Sequence, residues 1–127
     1  MKITLDDILT LHTLVIKQYG GEYGIRDKNV IESAYNVSFQ GFGDVDFYPS
    51  VEEKAARLGF GLATNHGFVD GNKRTGCIVL LTFLKLNGLS LECSDEELIT
   101  MFYGIADAQK NTYDDLLQFV KNHVRKI

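Results

Sequence analysis

The chain has 127 residues, 45% hydrophobic and 24% charged, an ordinary globular makeup that predicts one folding unit over residues 1–127 burying about two-thirds of its unfolded surface. Its formal charge of −4 argues against nucleic acid or an anionic membrane as the main partner, so any anion site must be local. With no apolar stretch of about 18 uncharged residues, and no basic N-terminal segment leading into an apolar run, the expectation is a soluble, cytoplasmic protein.

The first helix is expected from Thr4, which pairs with Asp7 as a cap, through Leu5, Ile8, Leu9, His12, Val15, Ile16 and Tyr19 at helical spacing, until Gly20-Gly21 stops it. His12 falls on its apolar face and reads as a core or boundary histidine. Asp27 can cap a second helix that carries Val30, Ile31, Ala34 and Val37 inward. Gly41 to Pro49 is the longest irregular segment. Its glycines, acids and aromatics suit either a mobile edge over a site or a solvated connection with a few aromatics tucked into the core.

Ser50 and Glu53 form a capping box for a third helix, with Ala55, Leu58, Gly59 and Leu62, which runs toward His66. From about Lys73 to Asn87, the residues Cys77, Ile78, Leu80, Leu81, Phe83, Leu84 and Leu86 are apolar on nearly every side, predicting a buried central helix closed by Gly88. Leu89 to Cys93 alone reads as extended. Ser94 with Glu97, and Thr112 with Asp115, open two more helices, the last carrying Leu116, Leu117, Phe119, Val120 and Val124. His123, near the charged C-terminus, reads as a surface residue. The expected architecture is an all-α, compact bundle of about six helices around the central one. Cys77 and Cys93 lack metal-type spacing and sit in apolar stretches, so free buried thiols are expected.

The segment His66-Gly67-Phe68-Val69-Asp70-Gly71-Asn72-Lys73-Arg74 concentrates chemistry between the third and central helices. His66 can accept a proton near neutral pH. Asp70 is a hard carboxylate of the kind Mg²⁺ accepts while keeping most of its waters. Gly71 and Asn72 enter tight backbone conformations readily, so that their amides and a helix start near Asn72 can cradle an anion. Lys73 and Arg74 bring a point charge and a bidentate fork to phosphate oxygens, and Phe68 points inward as the anchor of the loop. A plain turn before a helix uses the same residue types. Two cations in a first turn, where the helix dipole disfavours them, point to an anionic ligand.

The segment is similar to the H-x-F-x-D-G-N-K-R motif of the Fic/Doc family, and Lys73, where typical AMP-transferring members carry Gly, resembles the Doc (death-on-curing) branch. Tyr19-Gly20-Gly21, Gly24-Ile25-Arg26-Asp27, Tyr48-Pro49-Ser50 and Asn87-Gly88 extend the resemblance over nearly the whole chain. The resemblance implies the Fic/Doc fold, with His66 as general base, Asp70 holding Mg²⁺, and Gly71, Asn72 and Arg74 binding the phosphates of ATP. With Lys73 it implies a reversed nucleotide, so that a kinase moves the γ-phosphate to a Ser/Thr hydroxyl of elongation factor Tu and inhibits translation. It further implies that the segment around Gly41–Pro49 is a flap that positions the target's peptide.

Two positions depart from the family's pattern. Cys77 stands where many AMP-transferring members carry a second, phosphate-clamping Arg, and Gly67 replaces a Pro, which would loosen the loop's backbone. No Ser or Thr has a Glu four residues later, so the family's inhibitory helix motif is absent and a separate, Phd-like antitoxin chain is the expected restraint. The competing readings are a Fic-type AMP-transferase and a non-catalytic phosphate-binding or interaction module, which would need neither His66 nor Asp70.

Overall fold

Side-chain caps decide where most of the helices begin. The computed structural model describes residues 2–107 and 109–127. In it α1 (Leu5–Tyr19), α3 (Val51–Thr64), α5 (Asp95–Ala106) and α6 (Tyr113–His123) each start at a reciprocal capping box, formed by Thr4 with Asp7, Ser50 with Glu53, Ser94 with Glu97 and Thr112 with Asp115. In α2 (Lys28–Ser38) the Asp27 carboxylate accepts the amide of Asn29 at 3.0 Å. The exception is α4 (Asn72–Leu86), which follows Gly71 in the left-handed region at φ 76° and has no side-chain cap. All six helices expected from the sequence are present among the described residues, and the fold is all-α apart from two small sheets.

The core forms where α4 crosses α3. Val79, Leu80, Phe83 and Leu84 of α4 are buried with Ala55, Leu58, Leu62 and Ala63 of α3. Glycines bring the two backbones together, since a Cβ on Gly76 would lie 2.6 Å from the Gly59 carbonyl oxygen. The apolar residues of α4, expected to be buried on every side, instead divide between two faces. Thr75, Gly76, Val79, Leu80, Phe83 and Leu84 are buried, whereas Cys77, Ile78 and Leu81 are half-buried and line a groove beside α5.

The chain departs from expectation in three other places. The extended stretch after α4 is β3 (Leu89–Leu91), and it pairs antiparallel with β4 (Val124–Lys126), with Leu91 opposite Val124. Val124 therefore starts a strand rather than continuing the last helix, because β3 supplies backbone partners that a further helical turn would forgo. Within the segment read as irregular, β1 (Gly41–Phe42) and β2 (Val45–Asp46) form a hairpin that leaves Phe42 83% exposed and Val45 68% exposed. Cys77 and Cys93 are free as expected, but half-buried. Burial pushes the Cys77 thiol up to about 12, so it stays protonated at neutral pH. Among the described residues no helix is long and apolar enough to cross a membrane.

Candidate active site

The loop between α3 and α4 is fixed by hydrogen bonds from three helices. Asn65, at the C-terminus of α3, donates from Nδ2 to the Val30 carbonyl at 2.8 Å and accepts the Gly67 amide at 3.1 Å. The Gly67 carbonyl accepts the amides of Arg26 and Asp27 at 2.8 and 2.9 Å. A Cβ at Gly67 would lie 2.3 Å from Cγ1 of Ile31, so α2 leaves room only for glycine. The looser backbone expected from Gly67 is thus overturned, since close packing and two accepted amides hold it.

Phe68 is 1% exposed, the inward anchor the sequence predicts. Asn72 braces it from the first turn of α4, accepting the Phe68 amide at Oδ1 and donating from Nδ2 to the Phe68 carbonyl, both at 2.9 Å. His12 stacks on the Phe68 ring with centroids 3.8 Å apart and planes 8° from parallel. Its Nε2 donates to the Asp70 carbonyl at 2.8 Å, which fixes the protonated nitrogen. His12 is buried, as the sequence suggested, and its position makes it a support of the loop.

On that frame the motif side chains face outward. His66 is exposed and left-handed at φ 56°, a conformation that costs a non-glycine residue about 1 kcal/mol or more. Its carbonyl accepts from Arg26 Nη1 at 3.4 Å. The Asp70 carboxylate is exposed and oriented by two amides, accepting from Gly71 at 2.9 Å on Oδ1 and from Glu22 at 3.2 Å on Oδ2. The Gly71 amide is therefore engaged by its neighbour, and the uncapped first-turn amides of α4 begin at Asn72.

The two motif cations diverge. Lys73 is ion-paired with Asp107 and lies over the Tyr103 ring at 5.4 Å. Arg74 is exposed, stacks over Tyr19 at 4.2 Å, and pairs with no carboxylate among the described residues.

His66, Asp70, Gly71, Asn72, Lys73 and Arg74 all line one groove of about 790 Å³ between α4 and α5. One end is polar and carries the motif, and the floor continues over Cys77, Ile78, Leu81, Leu98 and Phe102. The structure therefore brings every expected polar residue to one place, with the Asn72 side chain turned inward and its backbone facing the helix start. Asp70 is the carboxylate of the loop itself, and no group of three or more metal-type side chains exists among the described residues. One hard, pre-oriented carboxylate suits Mg²⁺ that arrives with waters and substrate phosphates.

Sequence reasoning missed Asn65, Tyr103 and Asp107, and it named Tyr19 without its contact with Arg74. An Asn directly after a helix is a usable signal for the first. The other three act by tertiary contact and leave no local trace.

The Fic/DOC family model matches residues 2–84, which take in the whole loop and most of α4. A curated relative, Toxin Doc of Mycolicibacterium smegmatis (strain ATCC 700084 / mc(2)155), is 40% identical over 86 residues, 68% of this chain and 64% of that protein. The match thus spans just under two-thirds of the relative's length.

Proposed function

This chain belongs to the Fic/DOC family, and on that footing we propose that it is a Doc-like toxin that transfers the γ-phosphate of ATP to a Ser or Thr hydroxyl of a translation factor. The observation that carries this reading is the start of α4. Alone among the six helices described it lacks a side-chain cap, and it places Lys73 and Arg74 in its first turn beside His66 and Asp70. Uncapped amides and the positive end of the dipole form an anion site, and Arg74, which unlike Lys73 pairs with no carboxylate among the described residues, is disfavoured there unless an anion joins it.

The roles follow from these positions. The phosphates lie against the first-turn amides of Asn72, Lys73 and Arg74, with Gly71 making the turn and the Arg74 guanidinium forking onto the terminal oxygens. Asp70 would hold Mg²⁺, which would supply charge neutralisation at the phosphates. The target hydroxyl enters from the side of His66, whose imidazole takes its proton as the oxygen bonds to the γ-phosphorus and ADP leaves. The hairpin that exposes Phe42 and Val45 is the segment the resemblance assigns to holding the target's peptide. Elongation factor Tu as the target, the cytoplasm as the compartment and a separate Phd-like antitoxin as the restraint complete the proposal on the sequence's resemblance to the Doc branch, while the name of the M. smegmatis relative supports the toxin reading. AMP transfer is the runner-up reading, and Cys77 cannot supply a second phosphate clamp for it.

Induced expression of the chain alone in bacteria tests the proposal. Incorporation of labelled amino acid should stop within minutes, and His66→Ala should restore it with the protein still folded. Undiminished incorporation with wild-type protein present would refute the toxin reading.

A further inference from the structure

The two motif cations are held in opposite ways, and that asymmetry carries an inference resting on the nucleotide reading above. Lys73 sits in the first turn of α4, where the positive end of the dipole repels its ammonium. Three features of the end of α5 attract it. The Asp107 carboxylate pairs with Nζ, the Tyr103 ring lies 5.4 Å beneath it, and the α5 C-terminus carries the negative end of a dipole. The Asp107 amide donates to the Tyr103 carbonyl at 2.9 Å, so one turn of α5 presents both groups together. Both pair members are partly exposed, Lys73 by 40% and Asp107 by 43%, which keeps the ammonium exchangeable. Asp107 and Lys73 both line the groove that holds His66 and Arg74.

We propose that Asp107, with Tyr103 beneath it, is a positioning residue that competes with the nucleotide's phosphates for the Lys73 ammonium. Docked on α5, Lys73 lines the side of the cradle with its charge compensated. Arg74, stacked on Tyr19 without a carboxylate, is left as the cation the phosphates meet first. The dock lowers affinity for polyphosphate.

The test is calorimetric titration with inorganic tripolyphosphate and Mg²⁺ at low salt, in a His66→Ala background so that the proteins can be produced. Asp107→Asn keeps the shape of the side chain and removes its charge. It should tighten binding about two- to fivefold, the range of a partly exposed ion pair, and the gain should shrink as salt is raised. The same substitution made in a Lys73→Met chain should give no gain, which separates competition for Lys73 from a general charge effect.

Unchanged or weaker binding in Asp107→Asn, or a gain that persists without Lys73, would overturn the dock while leaving the nucleotide site in place. No tripolyphosphate binding by the parent chain would instead remove the site itself, and the dock with it. The positioning role also requires that, in the active chain, Asp107→Asn lower KM for ATP without raising kcat, a split that a merely structural residue would not produce.

Discussion

Asn72 spends its side chain on structure and leaves its backbone for chemistry. Its amide group satisfies both the N–H and the C=O of Phe68, a buried residue with no regular ladder to pair with. Asn72→Ala should cost about 2–4 kcal/mol, because two backbone groups lose their partners at once, and denaturant unfolding measures this directly. ATP binding should weaken as well, since the same bonds seat the loop on the helix start. The sequence disclosed Asn72 as part of a contiguous motif but not this division of labour, because a turn-former and a brace have the same residue type. His66, Asp70 and Arg74 could be named as candidates for the opposite reason, as near neighbours in sequence whose chemistry needs no distant partner to be proposed, and the groove they share is where the structure puts them. Asp107 was not, since its pairing with Lys73 spans 34 residues and depends on how α5 lies against α4.

Helix boundaries were legible wherever a cap is local. Four capping boxes and the Asp27 cap stand in the sequence within three residues of the amides they satisfy, and all five form. The short strands were hidden to different degrees. The pairing of β4 with β3 joins residues more than 30 positions apart, so nothing near Val124 marks the end of α6. The hairpin had a signal, Gly43-Asp44 between Phe42 and Val45, which the mixed composition of the segment obscured. The close crossing of α3 and α4 is the element-scale device that seats the site. A methyl group at Gly76 would meet the Gly59 carbonyl oxygen at 2.6 Å and the Ala63 amide nitrogen at 3.0 Å, both rigid backbone. Gly76→Ala should therefore destabilise the protein by about 1–3 kcal/mol, read as a lower melting temperature, and should weaken ATP binding by tilting the start of α4. An unchanged melting temperature would mean that the two helices are less tightly seated than their backbones indicate.

At the scale of the whole molecule, a chain of net charge −4 turns one uncapped helix start, and an Arg74 that pairs with no carboxylate among the described residues, toward a single groove. A buried face of α4 locks that start to the core, and its second face opens the groove proposed to take the nucleotide. The groove itself was not readable beforehand, because the apolar run of α4 does not say which face a neighbour will cover. The most direct test of the account is to incubate the purified protein and Mg²⁺ with bacterial extract, once with ATP labelled at the γ-phosphate and once at the α-phosphate, beside His66→Ala. Label from the γ-position alone on a protein of the extract, absent with His66→Ala, is the predicted result. Label from the α-position, or γ-label that survives the loss of His66, would contradict it.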